Sequence, residues 1–335
     1  MEYRILGKTG LKVSSLGFGG IPIQRIDAAG TRVLMEKLVE CGINYIDTAR
    51  GYSVSEAYLG EALEGIRDKF ILATKSMARD KASMAKDIDI SLSNLRTDYI
   101  DLYQVHNPSL AQLEQVIGEN GALEALQEAK AAGKICHIGL TAHSLEVFEK
   151  ALELDWVETI MFPYNIVETH GEDLIAKCAE KNVGFIDMKP LAGGAIDDAT
   201  LAMRFVSRNP NVTVTIPGMA EIKEIEQNLA AVNNTAPLSN EETAKIDAMR
   251  TELGTQFCRR CGYCAPCTVG IVIPNMFVFE GYLERYGLAD WAKGRYDAQA
   301  KTASDCIGCG ACESRCPYNL PIREMLKHTA KAFGK

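Results

Sequence analysis

Short apolar runs rich in β-branched and aromatic residues alternate with segments of helical period along most of the chain. The runs occupy residues 16–22, 44–49, 70–76, 99–107, 135–143, 159–165, 183–191 and 212–218. The segments between them, such as 31–40, 55–63 and 171–181, repeat their apolar positions with the spacing of an α-helix. Strands alternating with helices are typical of parallel sheets, and eight such units in roughly 200 residues favour a closed barrel over an open doubly wound sheet. The sequence therefore predicts an α/β fold, a (β/α)8 TIM barrel.

The two flanks of this repeat have patterns of their own. Residues 3–14 read as a hairpin that turns at 8–10, and we expect it to plug the bottom of the barrel. Beyond the last strand, Ser239 or Asn240 caps a helix that runs to about residue 253, with two glutamates in its first turn. Gly254 then ends the barrel region. The predicted domains are therefore 1–254 and 255–335.

Composition narrows the class of protein. The 335 residues are 47% hydrophobic and 24% charged, which is ordinary for a globular chain with room for one large domain and one small one. A formal net charge of −8 with scattered signs argues against nucleic acid as a partner. The N-terminus lacks the apolar region of a signal peptide, and no stretch approaches the ~18 apolar residues of a membrane span. We expect a cytoplasmic protein that does not enter membranes.

Cysteines dominate the C-terminal region. Eight of the eleven form two runs: Cys258, Cys261, Cys264 and Cys267, then Cys306, Cys309, Cys312 and Cys316. The second run, with proline after its last cysteine, has the spacing of a bacterial ferredoxin, where three thiolates bind one cluster and the fourth ligates its neighbour. The pattern predicts two [4Fe–4S] clusters that share ligands crosswise. The first run departs from it, because only two residues precede Cys267 and Thr268 replaces the proline.

Zinc and disulfides are the alternatives for these cysteines. Zinc sites usually combine two separated CxxC pairs rather than an uninterrupted run of four, and an intracellular chain keeps its thiols reduced. The segments that follow the two runs also correspond to each other, since Ile273, Met276 and Phe277 align with Ile322, Met325 and Leu326. This internal repeat indicates a cysteine loop followed by a helix in each half, with the apolar helix face covering a cluster.

Four short motifs in the barrel region carry a resemblance to a known family. They are Ile46-Asp47-Thr48-Ala49-Arg50-Gly51-Tyr52, Ser55-Glu56, Ala73-Thr74-Lys75 and Asp101-Leu102-Tyr103-Gln104-Val105-His106. In combination they resemble the aldo-keto reductases, specifically the members with a ferredoxin-like tail. The resemblance covers the whole barrel, and the cysteine region has the order seen in that subgroup. It implies a barrel followed by a small, α-helical, ferredoxin-like iron–sulfur domain.

The resemblance also implies a catalytic tetrad. Its members are Asp47, Tyr52, Lys75 and His106, which fall at the C-terminal ends of strands two, three and four, where barrels of this kind have their active sites. Reduction of a carbonyl needs an acid at its oxygen, and a nearby cation such as Lys75 makes a phenol more acidic. Asp47 would anchor and balance Lys75, and His106 would hydrogen-bond the substrate oxygen. Each residue could alternatively serve a structural purpose.

The nicotinamide contacts of the family are only partly preserved. In the family, a Ser-Asn pair, a Gln and a stacked aromatic hold the ring; the matching positions here are Thr141-Ala142, Met161 and Met188. Glu224 stands where members that bind NADP place an arginine on the adenosine 2′-phosphate. A carboxylate repels that phosphate and can accept a hydrogen bond from a free ribose hydroxyl. NAD(H) is therefore favoured over NADP(H).

Two phosphate-binding features suggest where a cofactor would bind, and FMN is the alternative cofactor. Gly193 and Gly194 permit close backbone approach, and a helix beginning near Ala220 would present free amides to an anion. The candidate cofactor-binding residues are Thr141, Asn165, Lys189, Leu191, Gly193, Gly194, Pro217, Gly218, Met219, Glu224, Gln227 and Asn228.

The resulting expectation is an oxidoreductase that interconverts a small carbonyl compound and its alcohol, with Tyr52 as general acid/base. The clusters would exchange electrons with a ferredoxin-type carrier or shape the pocket. Nicotinamide passes two electrons as a hydride whereas each cluster passes one, so a flavin-dependent or cluster-driven reductase is the second hypothesis. A subunit that only transfers electrons or senses redox state is the third.

Overall fold

The computed structural model describes residues 1–254 and 256–335, in two compact units. The first comprises Met1–Asn165, Thr169–Pro190 and Asp198–Pro237; the second comprises Ile166–Glu168, Leu191–Asp197 and Leu238–Lys335. Residue 255, the predicted first residue of the second domain, lies outside the described residues. The predicted boundary at that point stays a prediction. Across the described ranges, no helix has the length and apolar character needed to cross a membrane.

The first unit contains an N-terminal hairpin and a parallel barrel. The strands are β1 (Tyr3–Ile5), β2 (Lys12–Ser14), β3 (Phe18–Gly19), β4 (Tyr45–Asp47), β5 (Ile71–Ser76), β6 (Ile100–His106), β7 (Ile135–Thr141), β8 (Thr159–Pro163), β9 (Gly184–Met188) and β10 (Val214–Ile216). Strands β3 to β10 pair in chain order, and all of these pairs are parallel. Backbone bonds from Gly17 N to Thr215 O (2.8 Å) and from Gly19 N to Pro217 O (2.9 Å) join the first barrel strand to the last. The predicted TIM barrel and its eight strands are confirmed.

Helices follow the barrel strands. They are α1 (Ala28–Cys41), α2 (Ser55–Ala62), α3 (Lys81–Asn94), α4 (Leu110–Ile117), α5 (Ala122–Ala131), α6 (Leu145–Ala151), α7 (Glu172–Glu180), α8 (Ala199–Ser207) and α9 (Ile222–Asn233), with 3-10 turns at Pro22–Arg25 and Arg67–Lys69. Aspartate caps begin three of them, because Asp27 accepts from Gly30 N (2.7 Å), Asp80 from Ser83 N (2.9 Å) and Asp198 from Leu201 N (2.9 Å). Gly42, in the left-handed conformation, ends α1.

The hairpin of β1 and β2 closes one end of the barrel interior, as predicted. Leu6 and Val13 are fully buried in an apolar cluster with the inward-facing strand residues Tyr45, Ala73 and Leu102. Gly7 between the strands has φ +54°, and a Cβ there would lie 2.2 Å from the backbone nitrogen of Gly184. Only glycine therefore allows the hairpin to approach this closely.

The second unit is helical. Its elements are α10 (Asn240–Gly254), α11 (Ile273–Glu284), α12 (Ala289–Asp297), a 3-10 turn at Ala303–Asp305 and α13 (Ile322–Ala332). Ser239 accepts a hydrogen bond from Glu242 N (3.1 Å), as expected of the residue that caps α10. The corresponding helices α11 and α13 follow the two cysteine runs, and both bury their apolar faces in one core together with Cys264 and Cys312. This arrangement agrees with the internal repeat in the sequence.

Candidate active site and cysteine centres

Four side chains meet at the carboxyl ends of neighbouring barrel strands. Asp47 ends β4, Lys75 lies near the end of β5 and His106 ends β6, while Tyr52 follows on the loop after β4. Lys75 Nζ donates a short hydrogen bond to Asp47 Oδ1 and a second, of 2.7 Å, to Thr48 O. The same Nζ lies 4.9 Å from the centroid of the Tyr52 ring, whose edge-to-face contact with His106 has a centroid separation of 6.2 Å. The structure brings the predicted tetrad together.

The ion pair at the centre of this group is removed from water. The side chains of Lys75 and Asp47 are 2% and 4% exposed, and Gln104 Nε2 donates to the second carboxylate oxygen of Asp47 (3.1 Å). Burial lowers the pKa of Lys75 and raises the pKa of Asp47, and the attraction between the two charges opposes both shifts. The Asp47 carboxylate therefore favours the charged form of Lys75 beside the phenol ring.

A buried glutamate lies behind the tetrad. Glu56 in α2 is 1% exposed and accepts hydrogen bonds from four side chains. The donors are Thr74 Oγ1 (2.8 Å), Ser91 Oγ (2.7 Å), Arg50 Nη1 (3.0 Å) and Asn94 Nδ2 (3.2 Å). Its charge also raises the pKa of Lys75. The sequence motifs included Glu56 but assigned it no role. In the structure its hydrogen bonds connect α2, α3 and β5 beneath the site.

The candidate cofactor contacts on β7 and after β8 already have internal partners. Thr141 is buried, and its hydroxyl oxygen accepts from Asn107 N (2.9 Å). Asn165, also buried, donates through Nδ2 to Lys189 O (3.0 Å). Lys189 itself has φ +60°, which is uncommon for a residue other than glycine. The hydrogen bonds of Thr141 and Asn165 therefore hold the loops at the strand ends in place.

The loop that contains Leu191, Gly193 and Gly194 belongs to the second unit. Both glycines have positive φ, of +68° and +80°, so the backbone there needs glycine. Arg285 Nε donates to Gly193 O (3.0 Å), and the side chain of Arg285 lies within 4 Å of where a Cβ on Gly194 would be. The carbonyl of Gly193 is therefore engaged within the protein.

The segment after β10 corrects one expectation. The helix predicted to begin near Ala220 with free amides is α9, which begins at Ile222, and the two amides just before it are engaged: Glu224 Oε2 accepts from Ala220 N (2.6 Å) and from Glu221 N (3.0 Å). A carboxylate three residues into a helix commonly caps it in this way. Glu224 thus neutralises the anion-binding end of its own helix.

The other candidates in this segment are held internally as well. Gln227 Nε2 donates to Thr200 Oγ1 (3.1 Å), Asn228 and Met219 are buried, and Pro217 O receives the bond that closes the barrel. A Cβ on Gly218 would lie 2.8 Å from Pro22 Cγ. The residues present therefore fit a dinucleotide incompletely, because most of the donors that would hold it already have partners in the chain.

The cysteines form two groups. Cys258, Cys261 and Cys264 are close enough to raise one another's pKa electrostatically, and Cys316 acts on Cys261 in the same way. Burial raises the pKa of Cys258 to about 11 and of Cys264 to about 12, which disfavours their thiolate forms, and a bound metal would stabilise the thiolate charge.

The second group lines one cavity. Its members are Cys306, Cys309 and Cys312 of the second run together with Cys267 of the first. Cys309 is exposed and Thr268 Oγ1 lies 3.3 Å from its sulfur. Cys267 of the first run therefore lies beside three cysteines of the second run.

An arginine–glutamate pair accompanies the first group. Arg260, with φ +59°, donates its backbone N–H to Cys258 Sγ (3.4 Å) and its guanidinium to Cys258 O (3.1 Å). The guanidinium also pairs with the fully buried Glu168 at 2.6 Å. The sequence alone does not predict this pair, because Glu168 is 92 residues away from Arg260 along the chain.

Comparisons with known proteins agree with this description. Residues 15–200 and 196–251 match the profile of the aldo/keto reductase family, so the chain belongs to that family. Residues 257–321 match a 4Fe-4S dicluster domain, which supports iron–sulfur clusters in this region.

Three relatives illustrate the extent of the similarity. L-galactose dehydrogenase of Arabidopsis thaliana is 28% identical over 74% of this chain and 94% of its own length. Aldo-keto reductase YhdN of Bacillus subtilis is 33% identical over 54% of this chain and 59% of its own length. The solved structure of aldo-keto reductase AKR11C1 from Bacillus halodurans is 28% identical, covers 74% of this chain and 96% of its own, and superposes with a TM-score of 0.64. The chain is thus of the oxidoreductase type, with an added iron–sulfur region.

Proposed function

We propose that this member of the aldo-keto reductase family interconverts a small carbonyl compound and its alcohol, with Tyr52 as the general acid/base. The supporting observation is the contact of the Tyr52 ring with the Lys75 ammonium and with His106 at the carboxyl ends of the strands. A binding module without catalysis has no use for an ammonium group buried beside a phenol.

Reduction delivers a hydride equivalent to the carbonyl carbon and a proton to its oxygen. In our proposal the Tyr52 hydroxyl gives that proton, and the adjacent Lys75 charge stabilises the phenolate that remains. Asp47 holds Lys75 in its charged form, and His106 orients the substrate oxygen through a hydrogen bond. Oxidation of the alcohol reverses these transfers.

For the two-electron donor we propose NADH rather than NADPH. The Glu224 carboxylate occupies the amides at the start of α9 and would repel a 2′-phosphate there. A nicotinamide or flavin supplies hydride chemistry when bound. FMN is the alternative, because the nicotinamide contacts of the family are only partly present and the Thr141 hydroxyl already accepts from Asn107 N.

For the clusters we propose crosswise ligation. Cys258, Cys261, Cys264 and Cys316 would hold the first [4Fe–4S] cluster, and Cys306, Cys309, Cys312 and Cys267 the second. The cavity shared by Cys267 and the second run supports the latter set, and the electrostatic contact of Cys316 with Cys261 supports the former. We further propose that a ferredoxin-type carrier exchanges electrons with these clusters in the reducing environment of the cytoplasm.

Substitution of Tyr52 tests the catalytic proposal. We expect Tyr52→Phe to lower kcat for carbonyl reduction by about 10²–10⁴-fold, because it removes the proton donor, while cofactor affinity stays nearly unchanged. The matched control is Tyr58→Phe in α2, which should keep full activity. Unchanged turnover in Tyr52→Phe would refute the proposal that the tetrad catalyses carbonyl reduction, and it would favour an electron-transfer or redox-sensing subunit. NADH and NADPH affinities, measured by fluorescence in the same variants, test the cofactor preference.

Iron analysis tests the ligand sets. Protein purified without oxygen should contain about eight irons, four for each cubane. Cys316→Ser and Cys267→Ser should each perturb a different cluster in electron paramagnetic resonance spectra, with Cys136→Ser as the control outside both runs. A count near four, or loss of the same signal in both variants, would contradict crosswise ligation.

A further inference from the structure

Arg79 follows β5 on the loop that leads into α3, at the carboxyl ends of the barrel strands. Its guanidinium is largely withdrawn from water and donates to the carbonyl oxygens of Ala78 (3.3 Å) and His106 (2.8 Å) and, at 3.5 Å, to Gln112 Oε1. Its Nε is buried and has no hydrogen-bond partner. The guanidinium thus bonds to the backbone of His106, one of the four residues of the proposed active site.

The partners of Arg79 are all neutral. Two partly buried arginines of this unit differ in this respect, because Arg50 pairs with Glu56 at 3.0 Å and Arg67 pairs with Asp101 at 2.7 Å. Asp80, beside Arg79 in sequence, is used to cap α3. Within residues 1–254 and 256–335, no carboxylate lies within salt-bridge distance of Arg79.

An unbalanced charge in a shielded position is unfavourable unless something compensates it. Burial lowers the pKa of Arg79 to about 10, and no acidic side chain counteracts that effect. Proteins pair charges that they withdraw from water, and an arginine without a carboxylate of its own is suited to an anion from outside. A planar guanidinium matches the geometry of a carboxylate or a phosphate.

We propose that Arg79 binds an anionic group of the substrate, so that the carbonyl compound of this site carries a carboxylate or a phosphate group. The anion would lie near the end of β6, with the reacting carbonyl between Arg79 and Tyr52. Arg79 acts here as a specificity residue and takes no part in proton or hydride transfer. The assignment of a reacting carbonyl rests on the function proposed above, whereas anion binding by Arg79 does not.

Matched probes test this inference with the full-length protein, purified anaerobically. Succinic semialdehyde is compared with butanal, and glyceraldehyde 3-phosphate with glyceraldehyde, to separate carboxylate from phosphate. Wild type should prefer the anionic member of one pair by about 10–100-fold in kcat/KM, as expected for a charge-assisted hydrogen bond. Arg79→Gln should abolish this preference, because it lowers kcat/KM for the anionic member far more than for the uncharged member. Arg96→Gln, an exposed arginine, is the control.

Binding without turnover separates this inference from the proposed function. The Tm of wild type should rise more with 4-hydroxybutanoate than with 1-butanol, or more with glycerol 3-phosphate than with glycerol, and Arg79→Gln should lose the difference. If no aldehyde is reduced but this difference persists, the reaction class is wrong and the anion site stands. If wild type has no preference for either anion, or Arg79→Gln weakens charged and uncharged probes equally, the anion site is refuted. Should Arg79→Gln fail to fold, Arg79→Lys replaces it, and unchanged anion affinity in that variant overturns recognition by the guanidinium.

Discussion

The buried pair of Asp47 and Lys75 allows a quantitative test of the site. Asp47→Asn leaves an ammonium without its carboxylate at a position that is 2% exposed, and Lys75→Met leaves a carboxylate without its cation at a position that is 4% exposed. Breaking a buried pair from one side typically costs about 3–5 kcal/mol, because the remaining charge is uncompensated. The double variant removes both charges, so we expect it to recover most of that loss.

The pH dependence of the two single variants should have opposite signs. In Lys75→Met, the pKa of Asp47, which burial already raises, moves further up, so the folded state binds a proton more tightly and stability falls as pH rises. In Asp47→Asn, the pKa of Lys75, which burial lowers, moves further down, so stability rises with pH. The slopes of unfolding free energy against pH distinguish an unpaired charge from a simple packing defect, because a packing defect does not depend on pH.

Fluorescence-monitored urea unfolding can measure these effects in the barrel. Trp156 packs against the core of the first unit and Trp291 lies in the second, so a Trp291→Phe background leaves a single reporter on the barrel. Three results would each refute the account of a desolvated pair. They are a loss of unfolding free energy below about 1 kcal/mol in the single variants, pH slopes of the same sign in both, and a loss in the double variant equal to the sum of the single losses.

Two further predictions follow from charged groups elsewhere. Desolvation alone would raise the pKa of Glu158, but hydrogen bonds from His137 and Lys130 outweigh it and lower the pKa to about 2. Glu158→Gln should therefore cost about 1–2 kcal/mol at pH 7 after solvent screening, and the difference from wild type, measured by urea unfolding, should disappear as pH falls from about 5 towards 2. Near the first cysteine group, Arg260→Gln should lower and Glu168→Gln should raise the reduction potential of one cluster, because the net charge beside it changes in opposite directions. Potentiometry followed by electron paramagnetic resonance measures both, with the other cluster as internal control, and shifts of the same sign would contradict the assignment.

The features that the sequence predicted correctly depend on short-range patterns. The eight barrel strands follow apolar runs, and Asp47, Lys75 and His106 could be expected to meet because parallel strands end at one edge of a barrel. The partners of Glu56 could not be predicted in this way, since Ser91 and Asn94 come from a helix more than thirty residues further along the chain. Which side chain completes a buried hydrogen-bond network depends on tertiary packing.

The missed cap on α9 has a different cause. A glutamate three residues into a helix is a recognised signal for capping, and Glu224 carries it in the sequence. Glu224 also stands at the position of an arginine in related proteins, so its place in the sequence fits two interactions, repulsion of a phosphate and hydrogen bonds with nearby backbone amides. The same carboxylate can both cap the helix and repel a phosphate, so both interactions would lower the affinity for NADPH.

The proton and electron requirements of the proposed reaction fall on different parts of the chain. In our proposal Tyr52, Lys75 and Asp47 provide the proton at the carbonyl oxygen whatever the source of electrons, because the phenol and its ion pair belong to the chain itself. Carbonyl reduction takes two electrons, which one hydride carries or two one-electron clusters carry together. In the same proposal, Glu224 and the cysteines affect only the supply of electrons. Tyr52→Phe should therefore stop reduction by every electron donor, whereas substitutions at Glu224 or Cys316 should discriminate among donors and leave proton transfer intact.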